Sequence, residues 1–226
     1  MKHYFSKFEW LLWSLSCLLI LVFFVCFDGS NYLTLTASLI GVTSLILNAK
    51  GNPIGQALMV LFSLLYGWIS WRFAYYGEMI TYVGMTGPMA LAALCSWLRH
   101  PYQGKRSQVA VGKLQSFEYW LMPLLTALVT FVFYFILKYF DTANLFPSTL
   151  SVTTSFVAVY LTFRRSPLFA LAYASNDVVL IVLWIMASIS DVRYLSVVVC
   201  FLAFFANDIY GYISWQKMKI RQNACR

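Results

Sequence analysis

Two Asn-Asp pairs stand inside long apolar stretches of this sequence, Asn176-Asp177 and Asn207-Asp208. An ionisable or amide side chain at bilayer depth is costly, so such groups mark a binding site, a water path or a contact between helices. Trp184 follows Asp177 by seven residues, two helical turns, and the two share one stripe. Asn207, Tyr210 and Ser214 form a second stripe, and Asp208, Tyr212 and Trp215 a third. Nearer the N-terminus, Gln56 and Tyr66 are followed by Trp68, Trp71 and Tyr75, which align at i, i+3 and i+7. Aromatic faces with a few amides and carboxylates suit a flat heteroaromatic ligand bearing a sugar. The candidate ligand-binding set is therefore Trp68, Trp71, Asn176, Gln56, Tyr66, Asp177, Trp184, Asn207 and Tyr210. The competing readings are interhelical hydrogen bonds, at ~0.6 kcal/mol each, and an interfacial belt of Trp and Tyr.

Reactive motifs are missing. The sequence contains no Walker A run, no HExxH and no GxSxG, and its two histidines, His3 and His100, lie near helix ends. The five cysteines include no CxxC pair and read as packing residues. No catalytic residue, metal or cofactor is expected. The chain reads as one that binds and moves a solute, not as an enzyme.

The elements that must hold these residues follow from composition. Of 226 residues, 61% are hydrophobic and only 11% charged, whereas a soluble domain carries roughly 25% charged residues. Much of the surface must face lipid. The net charge of +8 does not mark a nucleic-acid partner, because the basic residues sit in short loops between apolar runs. Eight stretches have the ~20 residues that a spanning helix needs: 8–27, 31–48, 54–75, 79–98, 118–139, 145–163, 167–188 and 192–215. The first lacks a small-residue cleavage site and is expected to be retained. With eight crossings, both termini share a side with Lys50, Arg99, Lys105, Arg106, Lys113, Arg164 and Arg165. Only Arg72, Lys138 and Arg193 fall on the other. The positive-inside rule then makes both termini cytoplasmic.

The spans also suggest a duplication. One Ser/Thr-rich helix leads past Lys50 to Pro53 and on to Ser96-Trp97; another leads past Arg164 and Arg165 to Pro167 and on to Ser214-Trp215. Pairing them gives a single membrane domain with a leading helix at 8–27, a three-helix repeat at 31–98, a linker helix at 118–139 and a second repeat at 145–215. An odd linker makes the repeats parallel.

Several runs, Asn48-Ala-Lys-Gly-Asn-Pro-Ile-Gly-Gln56, Tyr66-Gly-Trp-Ile-Ser-Trp71, Tyr75-Tyr-Gly-Glu-Met79, Gly87-Pro-Met89 and Asn207-Asp-Ile-Tyr-Gly-Tyr-Ile-Ser-Trp215, resemble the PnuC family of vitamin transporters, typified by nicotinamide riboside uptake. The resemblance covers most of residues 31–220. It implies an all-α, SWEET-like 3+1+3 fold in a bacterial inner membrane and facilitated diffusion of an unphosphorylated vitamin. A cytoplasmic kinase would trap the vitamin by phosphorylation. The midplane site it implies maps to Trp68 and Trp71 with Asn176 and Gln56. The stretch Phe169 to Asn176 lacks the tryptophans that family members carry there, so thiamine, riboflavin or a deoxynucleoside stays open as cargo. Proton coupling through Asp177 or Asp208 stays open too, as do membership of a larger complex, turnover at the Asp pair and a homo-oligomeric state.

Overall fold

A backbone in hydrocarbon must satisfy its hydrogen bonds within its own segment, and each apolar run here folds as a helix. The computed structural model describes residues 4–27, 29–72, 76–142 and 144–224. Among them, eight helical segments are long and apolar enough to cross a membrane. In chain order the helices are α1 (Lys7–Phe27), α2 (Tyr32–Ala49), α3 (Pro53–Arg72), α4 (Tyr76–Ile80), α5 (Gly87–Arg99), α6 (Glu118–Tyr139), α7 (Leu145–Phe163), α8 (Phe169–Ser188) and α9 (Leu195–Ala224). The protein is a multi-pass membrane protein whose crossing segments are all helical. Tyr75 of the aromatic stripe, with Asp28 and Cys225, lies outside the described residues.

One crossing is composite. Between α4 and α5 the chain takes a π-helical turn, Thr81–Thr86, and the Gly87 N–H bonds back to Tyr82 O. Pro88, at the start of α5, has no N–H to continue the regular ladder. α3 lies close along this turn, and a Cβ on Gly67 would collide with the side chain of Val83.

The end of the bundle that carries both termini is closed by matched anchors. Trp97 donates its indole N–H to Thr162 O (2.9 Å) and Ser96 its hydroxyl to Phe163 O (2.9 Å), at the end of α7. Trp215 donates to Asn48 O (2.7 Å) and Ser214 to Ala49 O (2.7 Å), at the end of α2. Both tryptophans are fully buried, with ring centroids 5.3 Å apart, and Phe169 packs edge-on to Trp215 at 4.9 Å. Buried carboxylates tie the same helix ends. Glu9 takes Lys50 (3.1 Å) and the Tyr210 hydroxyl (2.7 Å). Glu118 takes Arg164 (2.7 Å) and the Tyr160 hydroxyl (2.9 Å).

The loop after α5 forms an antiparallel hairpin of β1 (Pro101–Tyr102) and β2 (Lys105–Val109). It then crosses the bundle, with the Val109 N–H on Gly51 O (2.9 Å) and the Gly112 N–H on Arg165 O (3.0 Å). The last helix does not stop at Trp215. It continues to Ala224, because Met218 and Gln222 are buried against this crossing strap. The Gln222 amide accepts from the Val111 N–H (2.8 Å) and donates to Val109 O (3.1 Å).

Candidate functional site

The opposite end of the bundle is open. A cavity of about 470 Å³ enters between α4, α8 and residues Phe140, Asp141, Thr142 and Asn144, a size within the range of small-molecule sites. Glu78, Thr142, Ser148 and Trp184 line it, with Tyr76 and Tyr194. Two smaller lobes share Glu78. One, about 70 Å³, runs towards α2 and α3 past Asn31, Tyr66, Ser70 and Tyr194; the other, about 30 Å³, runs inward past Tyr82, Ser151, Ser155 and Leu180. Glu78 is thus the group common to all three, and it hydrogen-bonds Ser70. Its place follows from α4, which starts at Tyr76 and turns the carboxylate inward one residue after Gly77, packed against Thr142 and Leu137.

The walls are aromatic. The Trp184 and Tyr194 rings lie 5.3 Å apart, and those of Tyr66 and Tyr82 lie 4.6 Å apart. Grooves elsewhere, between α6 and α7 or beside Trp10 and Trp13, have almost wholly apolar walls on the bundle's outer face and suit lipid chains.

The charges are unequally paired. Arg193, at the cavity mouth, holds Asp191 through its guanidinium at 2.6 Å, 2.9 Å and 3.1 Å, and its backbone N–H adds a bond at 3.0 Å. These bonds hold the Asp191 carboxyl below the usual carboxylate range. Lys50 and Arg164 are taken by Glu9 and Glu118. Glu78, Asp177 and Asp208 enter none of the ion pairs found among the described residues. Asp177 and Asp208 are buried neighbours on α8 and α9, and Asp177 Oδ2 has no hydrogen-bond partner.

The candidate residues divide into three groups. Tyr66 and Trp184 line the cavity, and Asp177 lies behind Tyr82. Asn176 sits one helical register away, with Oδ1 accepting from Ser151 (3.3 Å), Thr154 (2.8 Å) and Ser155 (3.0 Å). Ser151 and Ser155 themselves line the inner lobe. The third group is not brought to the cavity. Gln56 donates to Asn48 Oδ1 (2.9 Å) in the first turn of α3, about 15 Å along the helix from Tyr66 at 1.5 Å per residue. Asn207 ties α9 to α1 through Ser16 Oγ (2.9 Å), and Tyr210 bonds Glu9. Trp68 and Trp71 lie 5.0 Å apart, their rings tilted to each other, on the outer face of α3, each about half exposed (52% and 51%). That face would meet lipid.

Glu78, Tyr82, Tyr194 and the α7 hydroxyls complete the site, and the candidate set lacks them. The one signal for them was chemical: Ser148, Ser151 and Ser155 recur at helical spacing within an apolar span.

The nicotinamide mononucleotide transporter family matches the chain over residues 31–217. A curated relative, the nicotinamide riboside transporter PnuC of Neisseria mucosa, is 26% identical over 203 residues, covering 87% of this chain and 76% of the relative. The crystal structure of the vitamin B3 transporter PnuC shares the fold, with a TM-score of 0.83 at 22% identity over 96% of this chain and 94% of that one.

Proposed function

Because the chain belongs to the nicotinamide mononucleotide transporter family, we propose that it carries an unphosphorylated vitamin nucleoside, nicotinamide riboside, into the cell by facilitated diffusion. One observation supports the riboside over the mononucleotide. The cavity presents Glu78 to its ligand, and among the described residues the one basic side chain in its lining, Arg193, already holds Asp191. Phosphate sites need charge-assisted donors, and a carboxylate in their place repels the anion.

The termini face the cytoplasm of a bacterial cell, following the basic loops at that end. The open cavity then faces outward, and the Trp97–Trp215 seal closes the inner side. We read the bundle as two parallel three-helix units, 31–98 and 145–215, each holding the other's helix end through its Ser-Trp pair. Rocking of one unit on the other would break this seal and deliver the ligand inward. Trapping falls to a kinase in the cytoplasm, since a 5′-phosphate would not fit back into an acidic cavity.

Purified protein in liposomes should equilibrate labelled nicotinamide riboside without ATP, and excess nicotinamide mononucleotide should leave the rate unchanged. Entry of the mononucleotide at the rate of the riboside would overturn the proposal.

A further inference from the structure

Among the described residues, three acidic groups of the bundle interior enter no ion pair, and they follow one another from the cavity inward. Glu78 lines the open cavity and both of its lobes. Tyr82 and Leu180 line the inner lobe with Glu78, and Asp177 stands one helical turn before Leu180 on α8. The Asp177–Asp208 pair lies beyond, 97% and 96% buried, with Asp177 Oδ2 unpartnered. The titratable groups facing the pair are Cys200 on α9, Tyr82 of the π turn and Tyr173 on α8, and none is basic. On the α7 side, Asn176 is occupied by serine and threonine hydroxyls.

Uncompensated carboxylates at bilayer depth are expensive unless something positive meets them. Building on the proposed function, we infer that the cavity takes its ligand as a cation, with Glu78 and then the Asp177–Asp208 pair as successive counter-charges. The aromatic walls, Trp184 with Tyr194 and Tyr66 with Tyr82, add cation–π attraction along the same path. The ligand class is a flat, positively charged heteroaromatic ring, such as an N-ribosylated pyridinium; uncharged deoxynucleosides and riboflavin fall outside it. Because the carboxylates stay with the protein, each crossing moves one positive charge inward. Transport is therefore electrogenic, and an inside-negative potential concentrates the ligand without ion coupling.

Two arms test this in proteoliposomes. With valinomycin and a tenfold outward potassium gradient, nicotinamide riboside should accumulate up to about tenfold over the outside, as a monovalent cation must at that potential. Its dihydro form, which keeps the shape but loses the ring charge, should only equilibrate and should enter at least about tenfold more slowly at low concentration. Glu78→Gln and Asp208→Asn should each narrow that preference. Equal entry of the two forms into wild-type vesicles, or accumulation that ignores the potential, refutes the inference while leaving riboside transport standing. Failure of both forms to cross refutes the proposed function instead.

Discussion

Replacing Trp215 by Phe and by Ala separates the two parts of the seal at the closed end. The indole N–H of Trp215 reaches Asn48 O at 2.7 Å, and that carbonyl also accepts the Gly51 N–H at 2.9 Å. Trp215→Phe therefore removes one hydrogen bond without orphaning the carbonyl, a loss of about 0.5–1.5 kcal/mol. Trp215→Ala also empties the space between Phe169 and Trp97, where the ring is fully buried, and costs about 3–5 kcal/mol. At about 2–4 °C per kcal/mol for a chain of this size, the melting temperature should fall by about 1–6 °C and about 6–20 °C respectively. Trp97 has the same surroundings: its acceptor, Thr162 O, is likewise shared, with the Arg165 N–H at 2.9 Å. Trp97→Phe and Trp97→Ala should reproduce the two values. Thermal loss of the monodisperse peak in size-exclusion chromatography of the detergent-solubilised protein reads both. A Trp215→Ala protein that melts within about 1 °C of the parent would refute the reasoning, as would Phe and Ala variants of equal stability.

Three further outcomes follow from the same geometry. Trp184→Ala should weaken riboside affinity about tenfold, since the ring supplies both burial and aromatic contact, whereas Trp68→Ala and Trp71→Ala, on the outer face, should alter it by no more than about twofold; transport Km values decide. Asn176→Ala strips three hydroxyls of their shared acceptor and should cost about 1–3 kcal/mol, seen as a lower melting temperature. Gln222→Ala releases the strap at Val109 and Val111, so trypsin should cut at Lys105 and Arg106 faster than in the parent, without a matching fall in global stability.

The helices were legible in the sequence because the bilayer imposes their length and leaves the backbone no alternative. The extension of α9 was not, since its polar residues are helical only through what Met218 and Gln222 touch. Polar and aromatic residues within apolar spans marked where the interior is unusual, and Tyr66, Trp184 and Asp177 do lie at or behind the cavity. The same signal also picked out Gln56, Asn207 and Tyr210, which the structure uses to fasten helix ends. Spacing aligned Trp68 with Trp71 but did not orient them: tryptophan suits a binding wall and a lipid-facing belt alike, so periodicity names a stripe without saying what it meets. Glu78 stayed hidden for the opposite reason. One residue beyond a Tyr-Gly turn, it reads as a loop charge, and only the inward set of α4 makes it the floor of a cavity.

Counterflow tests the central claim most directly. Proteoliposomes loaded with unlabelled nicotinamide riboside and diluted into a trace of the labelled compound should show a transient overshoot of label, and loading with nicotinamide mononucleotide should not produce it. An overshoot of equal height from the mononucleotide, or none from the riboside, would contradict a carrier whose acidic cavity selects the unphosphorylated vitamin.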